Sequence, residues 1–177
     1  MEECQFGRLT LQLSQGDITR QDDLDVVVNA ANAQLITGGG VAGAIHRVAG
    51  PELEAACRPL APIQPGQAVM TEGFKLPNKK VIHCLGPVFG VDQPSDELLA
   101  RCYRSAMGLA DQAGLASIGF PAISTGAFGY PVREAAGIAL QTMVQLAPQL
   151  ESLQLVRFVL FSESDLQVHQ EILAGMV

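Results

Sequence analysis

The chain has 177 residues, of which 48% are hydrophobic and 16% charged, and a formal net charge of -7. That length suits one domain and can bury a core without metal or disulfide staples. Its 11 Lys and Arg are scattered and form no basic patch, which argues against a nucleic-acid or anionic-membrane partner, and no apolar run approaches the ~18 residues of a membrane-spanning helix.

The start, "MEECQFGRLT", carries acids where a signal peptide needs a basic segment and an apolar core. Four cysteines, Cys4, Cys57, Cys84 and Cys102, form no CxxC pair, so the expectation is reduced thiols in a cytoplasmic protein. Cys84 beside His83 is the one tight pair, but neighbours on a strand point to opposite faces, and no metal site is expected.

Residues 9–13, "LTLQL", alternate at period two like a half-buried strand. Residues 25–31, "DVVVNAA", open as the continuous apolar run of a central strand. A helix is predicted over 41–57. Strands follow at "AVMTEG" and "KVIHCLG", with a turn at "LPNKK" between them. The proline-rich patch 58–66 reads as a loop. Residues 96–112 place Leu98, Leu99, Cys102, Tyr103, Ala106, Met107 and Ala110 on one helical stripe. Residues 117–124 and 155–161 read as strands. Pro131 suits the first turn of a helix, and Ser164 with Gln167 offers a capping box for a closing helix through Leu173. Alternating strands and helices give an α/β class with helices on both sheet faces.

Gly38, Gly39 and Gly40 stand between an apolar run and a helix start. Residues 38–43 satisfy G-x-G-x-x-G, but the glycines do not follow the strand directly, and no acidic residue ends a second strand about 20 positions on, so the dinucleotide reading fails. Ala44 and Ile45 stand where a P-loop needs Lys and Ser/Thr. What remains is physical. Glycines let backbone N–H groups approach a ligand, and the helix behind them adds its positive end, which together make an anion site suited to phosphate. "STGAFGYP", residues 124–131, again runs from a strand through glycines into a helix, and two such segments at one sheet edge could grip a pyrophosphate from both sides.

With "GDIT" at 16–19, "NAAN" at 29–32, "GGGVAGAIH" at 38–46, "VIHCLGP" at 81–87 and "FPAISTGAFGYP" at 120–131 in this order, the sequence resembles a macro domain, the ADP-ribose-binding module. It is most similar to bacterial MacroD-type proteins, which are O-acetyl-ADP-ribose deacetylases and ADP-ribosyl hydrolases. The resemblance runs from about residue 9 to residue 173. It implies that residues 1–177 are one macro domain, a three-layer α/β/α fold around a mixed sheet of about six strands. It also implies a metal-independent, cofactor-free and monomeric hydrolase acting on ADP-ribose derivatives, mono-ADP-ribosylated proteins among them.

The resemblance carries roles to particular residues. Asp17 accepts the adenine amine, the Ile18 amide faces the adenine ring, and Phe161 lines that pocket. From the residues alone, Asp17 reads equally as a turn or cap residue, and Phe161 as core. Gly38, Gly39, Gly40 and Val41, with Ser124, Thr125, Gly126, Ala127 and Phe128, supply the pyrophosphate cradle, and Phe128 walls the distal ribose. Asn32 contacts the distal-ribose hydroxyls and is the catalytic candidate. MacroD-type proteins usually read GGGVDG, whose acid helps to activate water; here that residue is Ala42. Related hydrolases, coronaviral macro domains among them, share GGGVAG, so the substrate's own phosphate can serve instead. His46, one helical turn from Ala42, is a second catalytic candidate, against a plain reading as a helix His bonded to nearby backbone. The alternatives are a non-catalytic ADP-ribose reader, which Ala42 favours, and a phosphatase acting on ADP-ribose 1''-phosphate in the same pocket.

Overall fold

The computed structural model describes residues 1–177. Seven strands form one sheet: β1 (Glu2–Phe6), β2 (Leu9–Gln15), β3 (Val26–Ala30), β4 (Ala68–Glu72), β5 (Lys80–Cys84), β6 (Ser117–Phe120) and β7 (Leu155–Leu160). Their order is β1-β2-β7-β6-β3-β5-β4. The five inner strands are parallel, and β1 and β4 pair antiparallel at the two edges. The carboxyl ends of all five parallel strands therefore lie along one edge of the sheet, where open α/β sheets bind ligands.

Five α-helices cover the faces: α1 (Gly40–Ala49), α2 (Pro51–Cys57), α3 (Ser95–Gln112), α4 (Val132–Leu146) and α5 (Glu163–Ala174). Strand alternation sorts the core in two. Val26, Val28, Ile82, Cys84, Phe120, Phe158 and Leu160 pack with α3, α4 and α5. Val27, Val81 and Val159 pack with Ile45, Ala49, Leu53 and Cys57 of α1 and α2. The arrangement is three layers, α/β/α, around a mixed sheet.

The seventh strand is β1, at the acidic start of the chain. Its half-buried Glu2, Cys4 and Phe6 alternate with exposed Glu3 and Gln5, and charges on such an edge strand discourage pairing with another chain. The helix expected over 41–57 is two helices. Gly50 has φ 89° and Pro51 opens α2; the residue before a proline is pushed out of the helical region. The last helix is capped two residues before the expected Ser164. Ser162 accepts from the Asp165 amide at 3.1 Å, and the helix starts at Glu163. Pro131 is the cap residue of α4, with Val132 its first residue. No helix is long and apolar enough to cross a membrane.

Candidate functional site

Four loops leave the parallel strand ends with the residues of interest. After β2, Asp17 caps a short 3-10 turn, Ile18–Arg20. Its Oδ1 accepts from the Thr19 amide at 2.9 Å and the Thr19 hydroxyl at 2.7 Å. These two bonds hold the Asp17 carboxyl below the ordinary carboxylate range. The cap role read from the residues is thus the one seen, and Oδ2 is left to accept from outside. Ile18 is buried. Beyond the end of β7, Phe161 is 92% exposed, so it is not core; its ring lies open at the same sheet edge.

After β3, Asn32 folds its amide back on the chain. Oδ1 accepts from the Ile36 amide at 3.0 Å and Nδ2 donates to the Ile36 carbonyl at 2.8 Å. Leu35, at φ 57°, plugs its side chain into the core beneath. This pinned turn delivers the glycines. A Cβ on Gly38 would lie 3.5 Å from Asn32 Nδ2, whereas one on Gly39 or Gly40 would meet nothing. Positive φ belongs to Gly40 (55°); Gly39 is extended at φ -85°. Gly43 has to be glycine for a different reason, since a Cβ there would overlap the Gly38 carbonyl oxygen.

The start of α1 is prepared for an anion. Gly39 offers no side-chain cap and the first turn holds no acidic residue. The first amides of a helix have no intrahelical partner, so these donors and the helix dipole face outward uncompensated. Opposite stands the loop after β6. Ser124 adopts φ 68°, rare for a residue with a side chain. Its hydroxyl is buried without a partner, and Tyr130 N–H donates to the Ser124 carbonyl at 2.9 Å. Gly126 and Ala127 are exposed, and Thr125 and Phe128 are half-buried. Helix α4 begins only at Val132, so Ser124–Phe128 reach the site as a turn and only α1 presents a helix terminus there. The loops after β5 and β6 meet over β3: a Cβ on Gly86 would overlap Ser124 Oγ and lie 2.6 Å from Ile123 Cγ2. Phe128 and Val41 pack on the same α1-side cluster.

His46 lines an open polar cleft of about 270 Å³ with Thr37, Gly38, Gly43, Arg47 and Glu54, and so shares Gly38 with the glycine loop. None of Asp17, Asn32, Ser124, Phe128 or Phe161 lines that cleft. Its Nε2 is buried and unpartnered, and burial lowers its pKa, against a smaller opposing effect of Glu54. Asn32 and His46 do not form a hydrogen-bonded pair; Asn32 spends its amide on Ile36.

Beneath α1 and α2 lies a polar layer that no motif in the sequence marks. His83 Nδ1 accepts from Asn29 Nδ2 at 3.1 Å, which leaves Nε2–H to donate to Thr71 Oγ1 at 3.0 Å. Burial pushes the His83 pKa down to about 4. Cys84, the next residue, points to the opposite face against Cys102, as strand alternation requires. Arg157, on β7, has 7% of its side chain exposed and binds Asp23 through two parallel bonds of 2.8 and 2.7 Å. A lone Arg inside an apolar run was the available signal. The chain has no group of three His, Cys, Asp or Glu placed to hold a metal.

The family model for the macro domain matches residues 28–139. The chain belongs to the macro domain family. A macro domain-containing protein of Chlorobaculum tepidum is 47% identical over 153 residues, covering 86% of this chain and 89% of that one. An O-acetyl-ADP-ribose deacetylase of Klebsiella pneumoniae is 46% identical over 165 residues, covering 90% and 94%. The Oceanobacillus iheyensis macro domain, solved with ADP, is 43% identical with a TM-score of 0.94, covering 99% of this chain and 95% of that one. A glycine-to-valine mutant of it is solved with ADPR. The glycine loop and the β6 turn of the present macro domain thus stand on a scaffold whose relatives hold a nucleoside diphosphate.

Proposed function

We propose that this macro domain binds ADP-ribose derivatives and hydrolyses esters at their distal ribose. Its substrates are O-acetyl-ADP-ribose and mono-ADP-ribose carried on acidic side chains of proteins. The observation that carries the reading is the uncompensated start of α1, next to the glycine loop that the Asn32 amide borders, at the carboxyl edge of the sheet, in a chain whose sequence aligns with a deacetylase over 94% of that enzyme's length. Adenine lies between Asp17, Ile18 and Phe161. The pyrophosphate lies between Gly38–Val41 and Ser124–Phe128, where backbone amides serve as donors, so the net charge of -7 is no obstacle. Phe128 walls the distal ribose, and the second amide proton of Asn32 reaches its hydroxyls.

In the reaction, water adds to the ester carbonyl, the tetrahedral adduct expels the ribose hydroxyl, and acetate and ADP-ribose leave. Ala42 supplies no carboxylate. The substrate's own phosphate takes the water's proton and returns it to the departing ribose oxygen, Asn32 orients the water, and the cradle holds both in near-attack geometry. His46 is assigned no proton transfer, because neither Asn32, Ser124 nor Phe128 lines the cleft it faces. We take residues 1–177 as one macro domain acting as a monomer in the cytoplasm, a placement that the four free cysteines support.

The test is release of acetate from O-acetyl-ADP-ribose, and of ADP-ribose from a protein mono-ADP-ribosylated on Glu or Asp. Turnover of at least one is expected. Binding of ADP-ribose without turnover of either would overturn the enzyme and leave the reader that Ala42 favours.

A further inference from the structure

The segment after β5, residues 85–94, enters none of the roles above, yet it is built as a strap. Val88 N–H donates to Asp92 Oδ2 at 2.8 Å, and the Val91 and Asp92 amides return to the Val88 carbonyl at 3.1 and 3.0 Å. Ser95, at the start of α3, donates its hydroxyl to the Asp92 carbonyl at 2.5 Å and accepts from Gly90 N–H at 3.3 Å. The strap's tip is Phe89. Its N–H donates to the Phe128 carbonyl at 2.9 Å, and its ring, 41% exposed, stacks on buried Tyr130 with centroids 4.7 Å apart and a tilt of 52°. Tyr130 in turn closes the β6 turn through its bond to Ser124. Sheet order places β3 between β5 and β6, so the strap crosses above the end of β3, where Asn32 lies, and grips the far loop on both sides of Gly129.

We propose that Phe89 is a positioning residue for the distal-ribose pocket: its ring on Tyr130 and its amide on the Phe128 carbonyl fix the Phe128 wall over Asn32. This rests on the reading of Phe128 as that wall. A Phe128 left loose would weaken chiefly whatever occupies the distal ribose site; adenine is held by the loops after β2 and β7, and the pyrophosphate keeps the amides of Gly38–Val41. ADP lacks the distal ribose, so it separates the two effects.

The experiment is calorimetric titration of wild type, Phe89→Ala, Phe89→Tyr and the control Val91→Ala with ADP-ribose and with ADP, together with kcat and KM on O-acetyl-ADP-ribose. Val91 is 73% exposed and neighbours the same tip. Phe89→Ala is expected to weaken ADP-ribose about two- to tenfold, the range of one aromatic pair, with ADP weakened less than ADP-ribose, KM raised and kcat lowered. Phe89→Tyr restores the wild-type values, and Val91→Ala leaves them in place. A wild-type preference for ADP-ribose over ADP that persists in Phe89→Ala overturns the assignment of Phe89 alone. Equal loss of ADP and ADP-ribose affinity also overturns it, by showing general disturbance of the fold. A wild type with no preference for ADP-ribose overturns the distal-ribose reading itself and Phe89 with it.

Discussion

The Asn32 amide is engaged at both ends by the backbone of Ile36, which gives the residue a double duty. It pins the turn that presents Gly38–Gly40, and the proposed function gives its remaining proton and lone pair to the ribose. Asn32→Ala is therefore expected to lower kcat about 100-fold, the cost of a reacting group held out of place. ADP-ribose affinity should fall modestly as the glycine loop loosens. A kcat within a few-fold of wild type would remove Asn32 from the chemistry. Gly39 offers a cleaner test of the loop. It is extended and a Cβ there meets nothing, so Gly39→Glu adds charge without backbone strain. ADP and ADP-ribose should both weaken by about tenfold or more, roughly 1.4 kcal/mol, with the thermal midpoint unchanged. Normal affinity in this variant would show that the loop does not touch phosphate. The need for glycines was legible in the sequence, but which glycine takes positive φ was not, because that depends on how Asn32 and Leu35 set the turn before it.

Elements carried by one strong period were legible from the residues: the stripe of α3, the apolar runs of β3 and β7, the alternation of β2. The breaks were not. Helix α1 and helix α2 share a continuous apolar pattern, and only Gly50 and Pro51 mark the corner that turns α2 across the sheet. Strand β1 hid because Glu2 starts its half-buried face and Glu3 and Gln5 its exposed one, so the apolar alternation is confined to Cys4 and Phe6. The candidate site was legible mainly through its resemblance, since Asp17, Asn32 and Phe161 each have an ordinary structural reading, and distances between loops 90 residues apart leave no local signal. Arg157 shows what that leaves out. Its guanidinium binds Asp23, Gln12 at 2.8 Å and Gln21 at 3.0 Å, and Gln21 Nε2 donates to the Asp17 carbonyl at 2.9 Å. A chain of bonds thus runs from the interior of β7 to the Asp17 loop, where the proposed function places adenine. Arg157→Met should destabilise the fold modestly, by about 1 kcal/mol, because the Asp23 it leaves behind is 59% exposed and solvated, read as a lower urea midpoint. The surviving folded protein should bind AMP more weakly than wild type does. An unchanged AMP affinity would show that Gln21 holds the loop without Arg157.

Across the whole molecule, the polar layer beneath α1 and α2 ties stability to pH. Burial lowers the pKa of His83 to about 4, and burial also lowers those of His46 and His169, the chain's other histidines. In the unfolded chain these groups titrate near 6.5. Between that value and about 4 the unfolded state binds more protons than the folded one, so stability present above pH 6.5 is lost as pH falls. His83 alone accounts for roughly 3 kcal/mol by about pH 4. Below that, Asp17, held low by Thr19, and Asp23, held low by Arg157, extend the loss. The alkaline side has the opposite sign from the same cause. Burial raises Cys57 to about 11 and Cys102 to about 12, so the unfolded thiols ionise first and stability falls above about pH 9. Urea unfolding should therefore give a plateau between about pH 6.5 and 9, with a falling limb on each side. His83→Gln should lower the plateau and flatten the acid limb, because the titrating group is gone. A midpoint that stays constant from about pH 6.5 down to 4.5 would mean that His83 is not held neutral between Asn29 and Thr71.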